Sequence, residues 1–299
     1  MTPEPVELVA DRLYALAHRY ELDGRASTHP PDVRGHATMN AYLLIEDQRA
    51  LLIDTGLSIH QQAILDQLGA LLPAGFPLSI WLLRIGEFSS ICNVRPITES
   101  FNVQTIYGGQ GEPPRWVDFR PEFVPAGTPV GAGALAAVRS ATVSAGGTVS
   151  IDPGGRELLA FNAPLRLLPT LWVYDERTAT LFTSDSFSHA LPAGEDAVPL
   201  VTDASEREGA AALLRRHLVR TRYWWLPGAR TSLIREQIAT IFDGRDIERI
   251  APAYGCIFEG RDVVARERRL LDEMLVAAAA QPAAIDTAHS SRRPRAARA

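Results

Sequence analysis

Apolar and polar positions fall into short blocks along this chain. The stretch "AYLLIEDQRALLIDTG" (41–56) holds two apolar runs around the polar Glu46-Asp47-Gln48, which is a hairpin pattern. Residues 6–20 read as strand, as do the hairpin arms within 41–53. From Ser58 to Leu72 the apolar positions Ile59, Ala63, Ile64, Leu68, Leu71 and Leu72 recur at helical spacing, with Ser58 placed to cap the helix. "PLSIWLLRI" (77–85) has the unbroken apolar run of a buried strand, and 88–100 follows as a short helix. Residues 101–170 carry short strands separated by Gly/Pro turns, which predicts antiparallel sheet. "LRLLPTLWVYDERTATLFTSDSF" (165–187) is a second hairpin, turning near Asp175–Thr178. Amphipathic helices are predicted over 205–218 and 230–242, a short strand in "IERIAPAYG" (247–255), and a last helix over 261–280.

Hairpins followed by helices, twice over, with strand ends carrying "DTG", "GEFSS", "TSD" and "APAYG", predict an α/β (α+β) chain built as a four-layer αββα sandwich. A single domain over 1–280 accounts for these elements. Residues 281–299, rich in Arg and Pro, read as a disordered tail.

Composition narrows the function classes. The chain has 299 residues, 46% hydrophobic, and a net charge of −5, enough for a sizeable core and with no basic stripe that would seek nucleic acid. No apolar run reaches the roughly 18 residues that a bilayer span needs, and the start has no signal-peptide pattern, so a cytoplasmic protein is expected. Every one of the 30 basic residues is arginine. The absence of lysine excludes a Schiff-base lysine, a phosphate-loop lysine and a Ser–Lys dyad. Cys92 and Cys256 are too few for a disulfide framework or a zinc cluster.

Four stretches in order resemble the metallo-β-lactamase superfamily. "NAYLLIEDQRALLIDTG" (40–56) is similar to its opening hairpin, and "LLRIGEFSSICN" (82–93) stands where that family carries an H-x-[HE]-x-D-H metal loop. "LWVYDERTATLFTSDSF" (171–187) resembles the hairpin ending in a metal-bridging aspartate, and "IAPAYG" (250–255) the closing A-P-x-H-G segment. Glu87 in the second ligand slot is similar to the oxygen-binding diiron domain of flavodiiron proteins. Carried across residue by residue, the other ligand positions fall on Ile85, Ser89, Ser90 and Tyr254, and the loop bearing the middle histidine is missing from "LLPTLWVYD". Only Glu87 and Asp185 remain as ligand types. Two carboxylates do not hold two transition ions. No metal ligands and no cofactor are therefore expected, bound iron or zinc being the alternative.

The resemblance implies a pocket at the former metal site with Glu87, Asp185 and Tyr254 as candidate catalytic groups. Two nearby carboxylates without a cation are expected to raise one another's pKa, leaving one protonated as an acid/base pair. Ser89, Ser90, Cys92, Asn93, Cys256 and His189 are candidate substrate-binding residues around it. Asp54 of the "DTG" turn reads as structural, and "RYWWLPG" (222–228) as a pocket wall or a dimer interface. Three functions stand side by side: a metal-independent enzyme acting on a small organic substrate; a non-catalytic binding or scaffold relative; and a single-metal hydrolase or oxygen-binding protein using His36 or His189 as a further ligand. The expected partners are a small molecule and a second copy in a homodimer.

Overall fold

The computed structural model describes residues 3–109, 137–152, 155–194, 197–205 and 209–282. The predicted tail from 283 and the stretch 110–136 lie outside the described residues.

The first sheet runs β1 (Val6–Val9), β2 (Leu13–Glu21), β3 (His36–Glu46), β4 (Arg49–Ile53), β5 (Leu78–Leu82), β6 (Val103–Gly108) and β7 (Arg139–Thr142), in that spatial order. The second has β8 (Thr148–Ser150), β9 (Glu157–Asn162), β10 (Leu171–Asp175), β11 (Thr180–Ser184), β12 (Leu200–Val201), β13 (Arg249–Pro252) and β14 (Ile257–Glu259), ordered β12-β14-β13-β11-β10-β9-β8. Among the described residues six α-helices are formed: α1 (Gln61–Leu71), α2 (Phe88–Ile91), α3 (Val94–Ser100), α4 (Ala210–Val219), α5 (Ser232–Asp243) and α6 (Arg261–Ala279).

Three apolar layers show how these stack. One cluster joins Leu44, Ile53 and Trp81 of the first sheet to Val173 and Phe182 of the second, so the sheets face each other. A second packs the outer face of the first sheet, through Leu43, Leu52 and Ile80, on Ile64 and Leu68 of α1 and Ile97 of α3. The third packs Trp172 and Ile250 of the second sheet on α4, α5 and α6. The result is the expected αββα sandwich. Trp81 and Trp172 are wholly buried, and each large side chain of this kind stabilises the fold by about 1.5–3 kcal/mol.

Three details differ from the sequence expectation. β6 pairs in parallel with both β5 and β7, so only β8 and β9 of the 101–170 region join antiparallel neighbours. Gly/Pro turns report chain reversals, but not which strand lies alongside which. Ser58 opens a short 3-10 turn (Ser58–His60) rather than capping α1, whose cap position is His60 with no side-chain capping bond. β12 and β14 are too short to leave a period in the sequence. No described helix is long and apolar enough to cross a membrane.

Candidate functional site

Four strand ends build the candidate site. Asp54 follows β4 in a left-handed backbone conformation (φ 57°) that directs its carboxyl to the next strand end. There Asp54 Oδ1 accepts the Leu83 N–H at 2.9 Å and the Ser90 hydroxyl. Complete burial pushes this carboxyl up to about 6, against the pull of those two hydrogen bonds. The turn it braces carries Glu87 at the N-cap of α2, with extended backbone (φ −117°, ψ 133°).

β11 delivers Asp185. Ser184 and Phe187 both take left-handed conformations (φ 52° and 62°), and the turn is closed by the Thr183 hydroxyl on Ser186 O (3.1 Å) and the Ser188 hydroxyl on Asp185 O (3.0 Å). β13 delivers Tyr254, which bridges to Met39 of β3. Asn40 Nδ2 donates to Pro252 O and Gly255 O, both at 3.0 Å, and the Thr38 hydroxyl donates to Gly255 O at 2.6 Å. These bonds fasten the 252–255 segment to the first sheet.

Two arginines lie between the carboxylates. Arg222 donates to Glu87 Oε1 (2.9 Å) through Nη2 and to Asp185 Oδ2 (3.1 Å) through Nη1. Arg84 Nη1 is 2.8 Å from Asp185 Oδ2, and its Nη2 is 3.7 Å from Glu87 Oε2. The side chains of Arg84 and Asp185 are 3% and 7% exposed, those of Arg222 and Glu87 15% and 18%. Burial works against the charge on Arg222, yet the Glu87 and Asp185 carboxylates raise its pKa overall. The two acids are thus cross-linked by guanidinium groups, a geometry that the planar fork of arginine suits.

Tyrosines close the inner side. Tyr254 is buried, and that burial, with Glu87 nearby, raises its phenol far above the usual range. Tyr20 packs edge-on against Tyr254 at 6.5 Å, its phenol pushed up to about 12 by burial. Tyr223 is likewise raised, by burial and then by Asp185. Phe88, next to Glu87, and Trp224 and Trp225, close after Arg222, are exposed, as are Leu167 and Leu168. Gly86 lies against Leu168, close enough that a Cβ there would be 3.3 Å from Leu168 Cδ1.

Of the residues singled out from sequence, Glu87, Asp185 and Tyr254 converge. Ser89 accepts the Gly56 N–H on its carbonyl (2.8 Å), and its side chain reaches Tyr254. Ser90 braces Asp54. Asn93 is fully buried and donates through Nδ2 to Thr55 O (2.8 Å) and Leu57 O (3.0 Å), tying α3 to the β4 end. Cys92 is half-buried beside Ser58, its thiol raised by burial, and Cys256 is buried in the core under the second sheet. His189 faces the helical layer instead, 3.1 Å from Glu267 of α6 and stacked on Phe258 at 5.6 Å. Sequence reasoning missed Arg84 and Tyr20, and it read Arg222 and Tyr223 only as part of the "RYWWLPG" pocket wall or interface, without partners for the carboxylates. A signal existed for Arg84, because a carboxylate pair that has lost its cations needs positive charge from somewhere, and an arginine directly precedes the altered motif.

No protein-family model and no curated protein matches the chain. Solved structures do. The flavodiiron protein from Giardia intestinalis aligns at a TM-score of 0.60 and 13% identity, covering 92% of this chain and 60% of that one. A diflavin flavoprotein fragment from Nostoc aligns at 0.64 and 15%, covering 93% and 98%. The fold is that of a flavodiiron metallo-β-lactamase-type domain. A further structure of this flavodiiron-type fold, a peroxy diiron species of a chemotaxis sensor, aligns at 0.55 and 14%, covering 96% and 99%. The chain spans about 60% of the length of the first flavodiiron proteins it matches.

These neighbours correct one expectation. The sequence reading gave no cofactor, whereas the structures sharing the flavodiiron-type fold are by name diiron and flavin proteins. The donor set itself was tested against iron. Among the described residues no group of three or more His, Cys, Asp or Glu converges to hold a metal ion. Ile85, at the first ligand position, packs against the core beneath the first sheet, and guanidinium groups occupy the carboxylates. This set does not fit a dinuclear iron centre, which needs several imidazole or carboxylate donors at about 2.0–2.2 Å.

Proposed function

We propose that this chain is a non-catalytic binding relative on the flavodiiron-type fold, in which the four-residue cluster of Arg84, Arg222, Glu87 and Asp185 has a structural role. The observation that carries this reading is that Arg222 donates to both Glu87 and Asp185 while Arg84 lies at ion-pair distance from both carboxylates. A carboxylate held by guanidinium hydrogen bonds is a weak general base, and a buried phenol whose pKa is raised is a weak acid near neutral pH. Acid/base turnover by Glu87, Asp185 and Tyr254 is therefore poorly served. The exposed aromatics Phe88, Trp224 and Trp225 flank Glu87 and Arg222 in the chain, and exposed aromatics of this kind favour recognition. A structure on the same fold, matched over 99% of its length, is by name a chemotaxis sensor.

Two measurements test the reading. A double-mutant cycle on Arg222→Met and Glu87→Gln should give a coupling of about 1–3 kcal/mol in thermal or urea unfolding. Additive effects would remove the cluster's structural role. Anaerobic titration with ferrous iron is the second arm: stoichiometric binding that Glu87→Gln abolishes would restore a metal function and overturn the proposal.

A further inference from the structure

The segment between β2 and β3 is a closed loop folded on itself. Its ends meet where the Leu22 N–H donates to Gly35 O (2.8 Å), and Gly24 and Gly35 both take positive φ (96° and 106°). Inside it, the His29 N–H donates to Ala26 O, the Val33 N–H to Pro30 O, and Arg34 Nη1 to Pro31 O at 2.7 Å. A compact loop with touching ends and its own turns can move as one body. From Asp23 to Gly35 only His29 and Pro30 are buried, so little apolar surface holds the loop down.

Polar and aromatic contacts fasten it instead. The His29 ring stands edge-on to His217 of α4 at 5.3 Å and to Tyr20 at 6.4 Å, and Tyr20 in turn packs on Tyr254. His29 Nδ1 lies 3.0 Å from the Thr28 hydroxyl and 3.4 Å from that of Tyr20. Three residues on, Asp32 pairs with Arg216 (2.6 Å) and Arg220 (2.9 Å) of the same helix.

The two imidazoles face cations rather than acids. His29 meets Tyr20 of β2, His217 of α4, Arg222 after α4 and the Ser188 backbone in the β11 turn; His217 meets His29, His189 and Arg222. The carboxylates on these elements are engaged elsewhere: Asp23 with Arg25, Asp32 with the α4 arginines, Asp185 with Arg84 and Arg222. Glu267, beside His189, is held by Arg266. Burial first, and then these positive neighbours, keep both rings neutral: His29 is lowered to about 4 and His217 well below its usual value.

We propose that residues 23–34 are a strap over the tyrosine side of the rim, latched on α4 by the contact of neutral His29 with His217 and released when these imidazoles take up protons. In the lifted strap His29 is in water and binds its proton near 6.5, whereas the closed state resists until about 4. Opening is therefore favoured as pH falls through that window. The Asp32 pairs do not change there. Desolvation opposes it, but Arg216 and Arg220 hold that carboxyl below its usual range, so it stays charged. Release uncovers Tyr20 and, behind it, Tyr254. One imidazole alone multiplies the opening equilibrium roughly twentyfold from pH 7 to pH 5.

Hydrogen exchange read by mass spectrometry on the full chain, corrected for the intrinsic pH dependence of exchange, tests this. Between pH 7 and pH 5 the opening of 22–35 should rise at least tenfold while amides of β3 and β10 keep their protection. His29→Phe keeps a ring against His217 and should cut that rise at least threefold. Asp32→Asn, at an exposed position, should raise opening by the same factor at both pH values. Exchange in 22–35 that ignores pH would overturn the proposal, as would a rise shared equally by β3 and β10, which is global unfolding. A rise that survives His29→Phe in full would remove His29 from the latch, and an Asp32→Asn variant without effect would detach the strap from α4. The native chain and Asp32→Asn decide the matter even if His29→Phe fails to fold. All of these readouts come from the strap, so this proposal and the preceding one stand or fall separately.

Discussion

Arg222 and Glu87 are 135 residues apart in the chain, yet Nη2 of one lies 2.9 Å from Oε1 of the other. The contact joins the segment after α4 to the loop after β5. Removing Arg222 alone leaves Glu87 with only the longer 3.7 Å contact to Arg84, which Asp185 holds at 2.8 Å. Arg222→Ala should therefore cost about 1–3 kcal/mol, less than the 3–5 typical of fully buried pairs because both partners are partly exposed. Urea unfolding reads this directly. A loss below about 0.5 kcal/mol would mean that the pair behaves as an ordinary surface ion pair.

Stability should fall in mild acid. His18 and His29 are each lowered from 6.5 to about 4, chiefly by burial and further by His60 and by Arg222 respectively. The unfolded chain takes up both protons below 6.5 while the folded chain resists until about 4, so stability rises with pH across that window. Asp54 acts in the opposite sense, since the folded state holds its proton from 3.8 up to about 6. Burial lowers His60 and His217 in the same sense as His18 and His29, so the histidines outweigh Asp54. Melting temperatures at pH 4.5, 5.5 and 7 should climb, and His18→Gln should flatten the climb. A flat profile in the native protein would count against the buried neutral histidines.

Gly255 stands where a side chain cannot. Its φ is 75°, and a Cβ would come 2.5 Å from Ala190 O and 3.1 Å from Ser188 O. Both obstacles are backbone. Gly255→Ala is expected to lower the melting temperature by roughly 5–10 °C, from about 2–3 kcal/mol of strain and displacement. Differential scanning calorimetry gives the answer.

Asn40 tests the fastening of the Tyr254 segment. It is wholly buried, and its amide is the donor to two carbonyls. Asn40→Ala should lose about 1–3 kcal/mol, and Asn40→Asp more, because a carboxylate would face those carbonyls with no proton to offer. If Asn40→Asp were the milder change at pH 7, the assignment of donor and acceptor would be wrong.

Much of this was readable from the residues. The turn motifs marked the strand ends that meet at one rim, and Glu87, Asp185 and Tyr254 were placed there by motif position alone. Arginine partnership was not readable in the same way. Arg84 flanks the motif, but Arg222 reaches the rim from a segment flagged only for its aromatics, and charge pairing across 135 residues leaves no periodic trace. His189 shows the converse. It lies four residues after Asp185 in sequence, yet the tight turn at 183–188 sends it to the opposite face of the second sheet, towards α6.

That turn has a further implication for engineering the chain. Ser184 adopts a left-handed conformation that disfavours any residue with a Cβ. Its carbonyl, not its hydroxyl, receives the Ala253 N–H at 2.6 Å. Glycine would preserve that bond and shed the local conformational penalty, so position 184 is a point at which the rim of the sandwich could be made more robust without altering any side chain of the arginine cluster.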